Sequence, residues 1–160
     1  MIMNKFLARK YIAFTFALML SGILLWNQSG FSVPAPQSQN IVVHLSHATD
    51  DLHRTSMAID MAISLQRSGA NVTLFLDVEG VRILDKNLPQ DLTWGFGAKK
   101  SSLQQWLQNF VEAGGKFMVC PHCAEAAGLT PSTLNSGAKL AKNSEEVARL
   151  FLEADKVIDY

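Results

Sequence analysis

The sequence predicts an α/β domain: a parallel sheet of about five strands covered by helices on both faces. Three observations predict it. From about Ile41 onward, short β-branched apolar runs alternate with segments of helical spacing. Each strand candidate is a continuous apolar run, as a strand buried on both faces requires. The roughly 120 residues available suit one such sheet.

Taken in order, "NIVVHL" (Asn40–Leu45) reads as the first buried strand. "DLHRTSMAIDMAISLQRSG" (Asp51–Gly69) reads as a helix. Leu52, Met57, Ala58, Met61, Ala62 and Leu65 fall near helical spacing, and Gly69 suits its C-terminal cap. "NVTLFL" (Asn71–Leu76) is a second strand. "DVEGVRILDK" (Asp77–Lys86) begins as a loop and turns into a short helix. Asn87 to Lys100, with Pro89, Gly95 and Gly97, reads as a long irregular segment. "SSLQQWLQNFVEAGG" (Ser101–Gly115) is a helix with Ser101 or Ser102 as N-cap and two glycines to stop it. "KFMVC" (Lys116–Cys120) is a third strand, and "PHCAEAAG" (Pro121–Gly128) opens a short helix. "GAKLA" (Gly137–Ala141) is a fourth strand. Ser144 caps a last helix, and "KVIDY" (Lys156–Tyr160) is a terminal strand.

Open parallel sheets place their chemistry at the carboxyl ends of the strands. Cys120 ends one strand. "SHATDD" (Ser46–Asp51) and "DVEG" (Asp77–Gly80) follow two others, so all three loops share one rim.

The chain has 160 residues, 48% of them hydrophobic, and a formal net charge of zero. That balance argues against a nucleic-acid partner, which calls for a basic face or stripe. The first 40 residues differ from the rest. Lys5, Arg9 and Lys10 precede an uncharged run, Tyr11–Trp26, and then the polar "NQSGFSVPAPQSQN". A basic start, an apolar core and a polar exit are the layout of an export signal. The run of about 16 residues is shorter than the roughly 20 of a spanning helix, within tolerance. Cleavage after Ser32, with small Gly30 two positions before it, is one outcome. An uncleaved membrane anchor through residues 11–26 is the other, because Pro36 spoils the "VPA" site at Val33–Ala35. Either way the basic residues stay inside and the remainder is translocated to a periplasmic or luminal compartment. The expected organisation is therefore signal or anchor 1–32, linker 33–40 and domain 41–160.

Both cysteines lie in "VCPHCAEAAGL" (Val119–Leu129). Outside the cytosol, an accessible thiol pair tends toward a disulfide unless a reducing partner maintains it. At a helix start, unpaired N–H groups favour a thiolate at Cys120, and Cys123 at i+3 is within disulfide reach. The same four letters occur in oxidising enzymes of the thioredoxin fold. That fold needs much chain after its motif, and only 37 residues follow Cys123. A second reading joins Cys120, Cys123, His122 and His47 as zinc ligands, with His44, His53, Asp50 and Asp51 nearby. It lacks the second Cys or His pair usual at metal spacing. A third reading makes Cys120 a sulfur-handling nucleophile, with His122 and His47 as tuning neighbours. Against all three stands the plainer one, two small buried hydrophobes.

The blocks Ile41–Lys86, "FVEAGGKFMVCPHCAEAAGL" and "GAKLAKNSEEVARLFLEADKVIDY" together resemble the DsrE/DsrF-like family of sulfur-relay proteins. The Gly69–Leu76 block, the Glu79–Val81 turn, and Cys120 followed eight residues later by Gly128 carry the resemblance, which extends over Ile41–Tyr160. It implies a three-layer α/β/α fold, homo-oligomers, and sulfur carried as a persulfide and passed to a partner thiol. The matching sulfur carrier is Cys120. No cofactor is implied. Export and the second cysteine, Cys123, set this chain apart from the cytosolic relay subunits. A non-enzymatic domain holding zinc or a partner protein at the same rim is the alternative. "DLTWGFGAKK" (Asp91–Lys100) reads either as a lid or oligomer contact through Trp94 and Phe96, or as an apolar plug on the sheet. Glu125 reads as a solvated helix-start carboxylate.

Overall fold

The computed structural model of the chain describes residues 38–89, 91–96 and 99–160, and only the backbone of residues 94–96, 99 and 100. The expected signal or anchor and residues 33–37 of the linker lie outside the described residues, as do the side chains of Trp94 and Phe96. In chain order the elements are β1 (Asn40–Leu45), α1 (Leu52–Arg67), β2 (Asn71–Leu76), a 3-10 stretch (Val78–Leu84), β3 (Thr93–Phe96) and β4 (Lys99–Ser102). Then come α2 (Leu103–Glu112), β5 (Lys116–Val119), α3 (Pro121–Ala126), β6 (Ala138–Leu140), α4 (Ser144–Leu152) and β7 (Lys156–Asp159).

Five strands form one parallel sheet in the order β6–β5–β2–β1–β7. The sheet order brings the ends of β5 and β2 together, with Phe75 paired to Met118 and Leu76 to Val119. Paired residues of a parallel sheet share a face. One face therefore carries Ile41, Val43, Leu45, Val72, Leu74, Leu76, Phe117 and Val119, all in the buried core. Ala58, Ile59, Ala62 and Ile63 of α1, Leu103, Leu107 and Phe110 of α2, and Val81, Ile83 and Leu84 cover it. Phe110 is fully buried and stacks edge-on against Phe117 at 5.1 Å between ring centroids. Burying such a ring stabilises by roughly 1.5–3 kcal/mol. Gly115 ends α2 where a Cβ would collide with the Phe110 ring.

The opposite face carries Val42, His44, Thr73, Phe75, Met118, Val157 and Asp159, and α4 is the helix packed on it. Phe151 of α4 meets Phe75 at 5.1 Å, and Glu146 of α4 accepts from Lys139 Nζ at 2.6 Å. This third layer is thin. No residue of α4 is fully buried, Leu152 is 85% exposed, and Val157 on the edge strand is 48% exposed.

Three expectations need correction. Asn87–Lys100 is not irregular throughout: β3 and β4 pair as an antiparallel hairpin, Thr93 against Ser102. Trp94 and Phe96 do alternate with Thr93 and Gly95, but Pro89, Gly95 and Gly97 around them read as loop. The buried stripe of α1 runs through Thr55, Ala58, Ile59, Ala62 and Ile63, leaving Met61 exposed. Alanines let the helix approach the sheet, which small side chains permit and methionines do not require. Finally, Asn143, not Ser144, caps α4, its Oδ1 accepting from the Glu146 N–H at 3.0 Å. Ser102 caps α2 in the same way, accepting from Gln105.

Candidate functional site

Cys120 follows the last residue of β5 and caps α3, whose first residue is Pro121. Proline suits that position, since the N–H it lacks would be unpaired there. The Cys120 N–H donates to Leu76 O at 2.8 Å, extending the β5–β2 ladder by one residue. Its carbonyl accepts from the Ala124 N–H at 3.0 Å, so the first turn of α3 is formed around the thiol. Cys123 lies in that turn. Both cysteines are free and half-buried. Burial pushes the Cys123 thiol up. The Val78 N–H acts against that, and the neighbouring Cys120 and the charge of Asp77 add to it.

Asp77 and Val78 are thus the β2 contribution to the site. The turn they begin has no freedom to move inward. A Cβ at Gly80 would collide with the Leu45 carbonyl, and the Gly80 N–H donates to Ser46 O at 3.2 Å. Val78 takes a φ of 45°, the left-handed region that a β-branched residue adopts at a cost of about 1–2 kcal/mol. Its side chain is 59% exposed, so packing does not explain the conformation. Strain of this kind gathers at functional positions.

Next to Asp77, on β1, stands His44. Its Nδ1 is 2.5 Å from Asp159 Oδ1 and its Nε2 is 2.8 Å from Asp77 Oδ1. The second contact is near enough for an ion pair but out of line for a hydrogen bond. Among the described residues, His44 Nε2 and Asp77 Oδ1 are both shielded from solvent and have no aligned partner. The rings of Phe75 and Phe151 wall the imidazole at 5.6 and 6.1 Å.

The structure brings together Cys120 and Cys123 and adds Asp77, with His44 and Asp159 behind it. The rings of the other two expected neighbours, His122 and His47, meet partners of their own. His122 Nε2 lies 3.2 Å from Ser144 Oγ at the start of α4. His47 Nδ1 is 2.6 Å from Asp50, and its Nε2 is 3.2 Å from Arg54. Asp50 is held below the usual carboxylate range, first by the Ala48 N–H and then by His47. Among the described residues, no three His, Cys, Asp or Glu side chains gather to hold a metal ion.

Sequence reasoning put the Asp77–Gly80 turn on the rim with Cys120 without singling out Asp77 or the Val78 backbone, named His44 only beside the metal reading, and missed Asp159. A usable signal existed: Asp77 is the first residue beyond β2, on the carboxyl rim. What was lacking was the strand order that puts β2 beside β5.

The model of the DsrE/DsrF-like family matches residues 39–160. No curated protein matches the sequence significantly. Three solved structures share the fold. The ychN protein from E. coli is 21% identical with a TM-score of 0.56, over 77% of this chain and 99% of that one. A protein of unknown function from Methanobacterium thermoautotrophicum is 17% identical with a TM-score of 0.60, over 77% of this chain and 100% of that one. A conserved protein of unknown function from Bacteroides thetaiotaomicron is 12% identical with a TM-score of 0.57, over 76% of this chain and 95% of that one.

Proposed function

From its membership of the DsrE/DsrF-like family, to which this chain belongs, we propose that it is a sulfur-handling thiol protein with Cys120 as nucleophile and Cys123 as resolving thiol. The Cys120 thiolate attacks the outer sulfur of a persulfide on a partner protein. A new S–S bond forms at Cys120, and the donor leaves as its thiol. An acceptor thiol then takes the outer sulfur, or Cys123 attacks the Cys120 sulfur. In the second case the two cysteines close as a disulfide and the outer sulfur leaves as hydrosulfide. The two cysteine thiols are oxidised by that step and the sulfane sulfur is reduced. A disulfide on the partner enters by the same attack, through a mixed disulfide.

One observation carries this reading: two half-buried free thiols share the first turn of α3 at the carboxyl rim of a parallel sheet. The proposed place of work is outside the cytosol, supported by the basic and apolar start of the chain. There a thiol pair cycles only with a partner that supplies or removes electrons. A homo-oligomer built on the thin α4 layer completes the proposal, supported by exposed Leu152 and Val157.

Mass spectrometry of protein purified without reductant tests the chemistry. The expected species is about 32 Da heavier than the dithiol, from an added sulfur, or about 2 Da lighter, from a disulfide. Replacing Cys120 with serine should remove both. Stoichiometric zinc with both thiols unreactive would overturn the reading in favour of a binding domain.

A further inference from the structure

Val78 takes the backbone conformation least suited to its side chain. Glycine adopts its φ of 45° freely, and a β-branched residue adopts it at a cost. Among the described residues, no other non-glycine residue has a positive φ. The turn imposes that conformation from both ends. The Asp77 N–H donates to Leu45 O at 3.4 Å, and the Gly80 N–H donates to Ser46 O at 3.2 Å. Val78 and Glu79 have to span these two anchors. A glycine would span them without strain, so the turn gains nothing from a valine. The core gains nothing either, because the residue is exposed.

What the isopropyl group offers lies on the rim that carries Cys120. Leu76 pairs with Val119, and the Cys120 N–H donates to Leu76 O at 2.8 Å. Val78 is two residues beyond Leu76. At about 3.8 Å per residue and about 4.8 Å between strands, it stands within roughly 10 Å of Cys120. Even a transient protein contact, burying about 600 Å² on each side, covers a patch wider than that. The charges beside Val78 narrow the partner further. Asp77 and exposed Asp159 face the one imidazole of His44, at 2.8 and 2.5 Å. Glu79 is paired with Arg82 at 2.6 Å, so the local balance is negative.

We propose that Val78 is the specificity residue for the partner, and that the partner is a protein whose reacting cysteine is flanked by apolar rather than acidic side chains. The inference rests on the thiol chemistry proposed above. The partner's apolar flank covers the Val78 isopropyl group while the Cys120 thiolate attacks its sulfur. A small hydrophilic thiol has nothing to lay over Val78 and, when anionic, is repelled by Asp77 and Asp159.

Two short peptides test it, each with one cysteine joined through a disulfide to thionitrobenzoate. One has leucines on both sides of the cysteine, the other glutamates. Cys120 attacks the peptide sulfur, a new S–S bond forms as the old one breaks, and thionitrobenzoate leaves as its coloured anion. Each rate is divided by that of the same peptide with mercaptoethanol, which removes the peptides' own difference in reactivity. The wild type should then prefer the leucine peptide by about tenfold or more. In Val78→Asn, whose side chain tolerates left-handed backbone, the preference should fall about fivefold, while Val78→Ile retains it. Val78→Asn should also unfold at no lower a urea concentration than the wild type, since the strain is relieved. No preference in the wild type, or one that survives in Val78→Asn, overturns this inference and leaves the thiol chemistry standing. So does a Val78→Asn protein less stable than the wild type, which would give the side chain a role in the fold. If the wild type releases thionitrobenzoate from neither peptide, the role of Cys120 falls, and the specificity residue with it.

Discussion

Two cysteines three residues apart are chemically unequal here because different elements press on them. Cys123 sits against the Asp77–Val78 turn, where burial and the Asp77 charge hold its proton on. A raised thiol pKa means that the thiolate appears only as pH climbs beyond the ordinary thiol range. Cys120 should therefore be alkylated by iodoacetamide well ahead of Cys123 at pH 6–7, with the difference shrinking as the pH is raised. Peptide mapping of partially labelled protein checks the order. Equal labelling at both positions would mean that the Asp77 turn does not shield Cys123. In Asp77→Asn the lag of Cys123 should narrow, since one cause of its raised value is gone.

Among the elements, the turn after β2 sets the site, and Gly80 sets the turn. With the Leu45 carbonyl where a Cβ would be, Gly80→Ala must push the 3-10 stretch outward. The expected cost is about 1–3 kcal/mol in urea unfolding, with faster alkylation of Cys123 as its cover lifts. A variant as stable as wild type, with unchanged labelling, would refute that close approach. The elements also show how far the sequence could be read. The central strands β1, β2 and β5 were legible because a strand buried in a sheet reads as a nearly continuous apolar run, while edge strands β6 and β7, half-exposed and carrying charges, were placed by the alternation around them. The Cys120 position was legible because it follows such a run directly. Hairpin β3–β4 was not, since the alternation of Trp94 and Phe96 is only four residues long and is interrupted by glycines, and Lys99–Ser102 adds no apolar residue. Asp77 and His44 were not, because their meeting depends on β2 lying between β1 and β5, and strand order leaves no local trace. The partner of His122 was not legible for a related reason. Its ring reaches Ser144, 22 residues further on, and nothing near position 122 announces that partner.

At the scale of the whole molecule the two sides of the sheet are unlike. One is sealed by α1, α2 and the 3-10 stretch, the other partly covered by α4. Sedimentation of the wild type should show an oligomer, and Leu152→Glu should shift it toward monomer while changing subunit stability by no more than about 0.5 kcal/mol. A wild-type monomer at micromolar concentration would remove the α4 layer as an assembly surface. The unevenness also sets an order of opening. Amide hydrogens exchange soonest where little apolar area must separate, so β7 and α4 form the unit that detaches first. Asp159 belongs to that unit, while His44 and Asp77 stand on the slow central strands. Each time the β7 edge lifts, the imidazole loses its anchor, so the His44–Asp159 pair lasts no longer than the edge strand that carries Asp159.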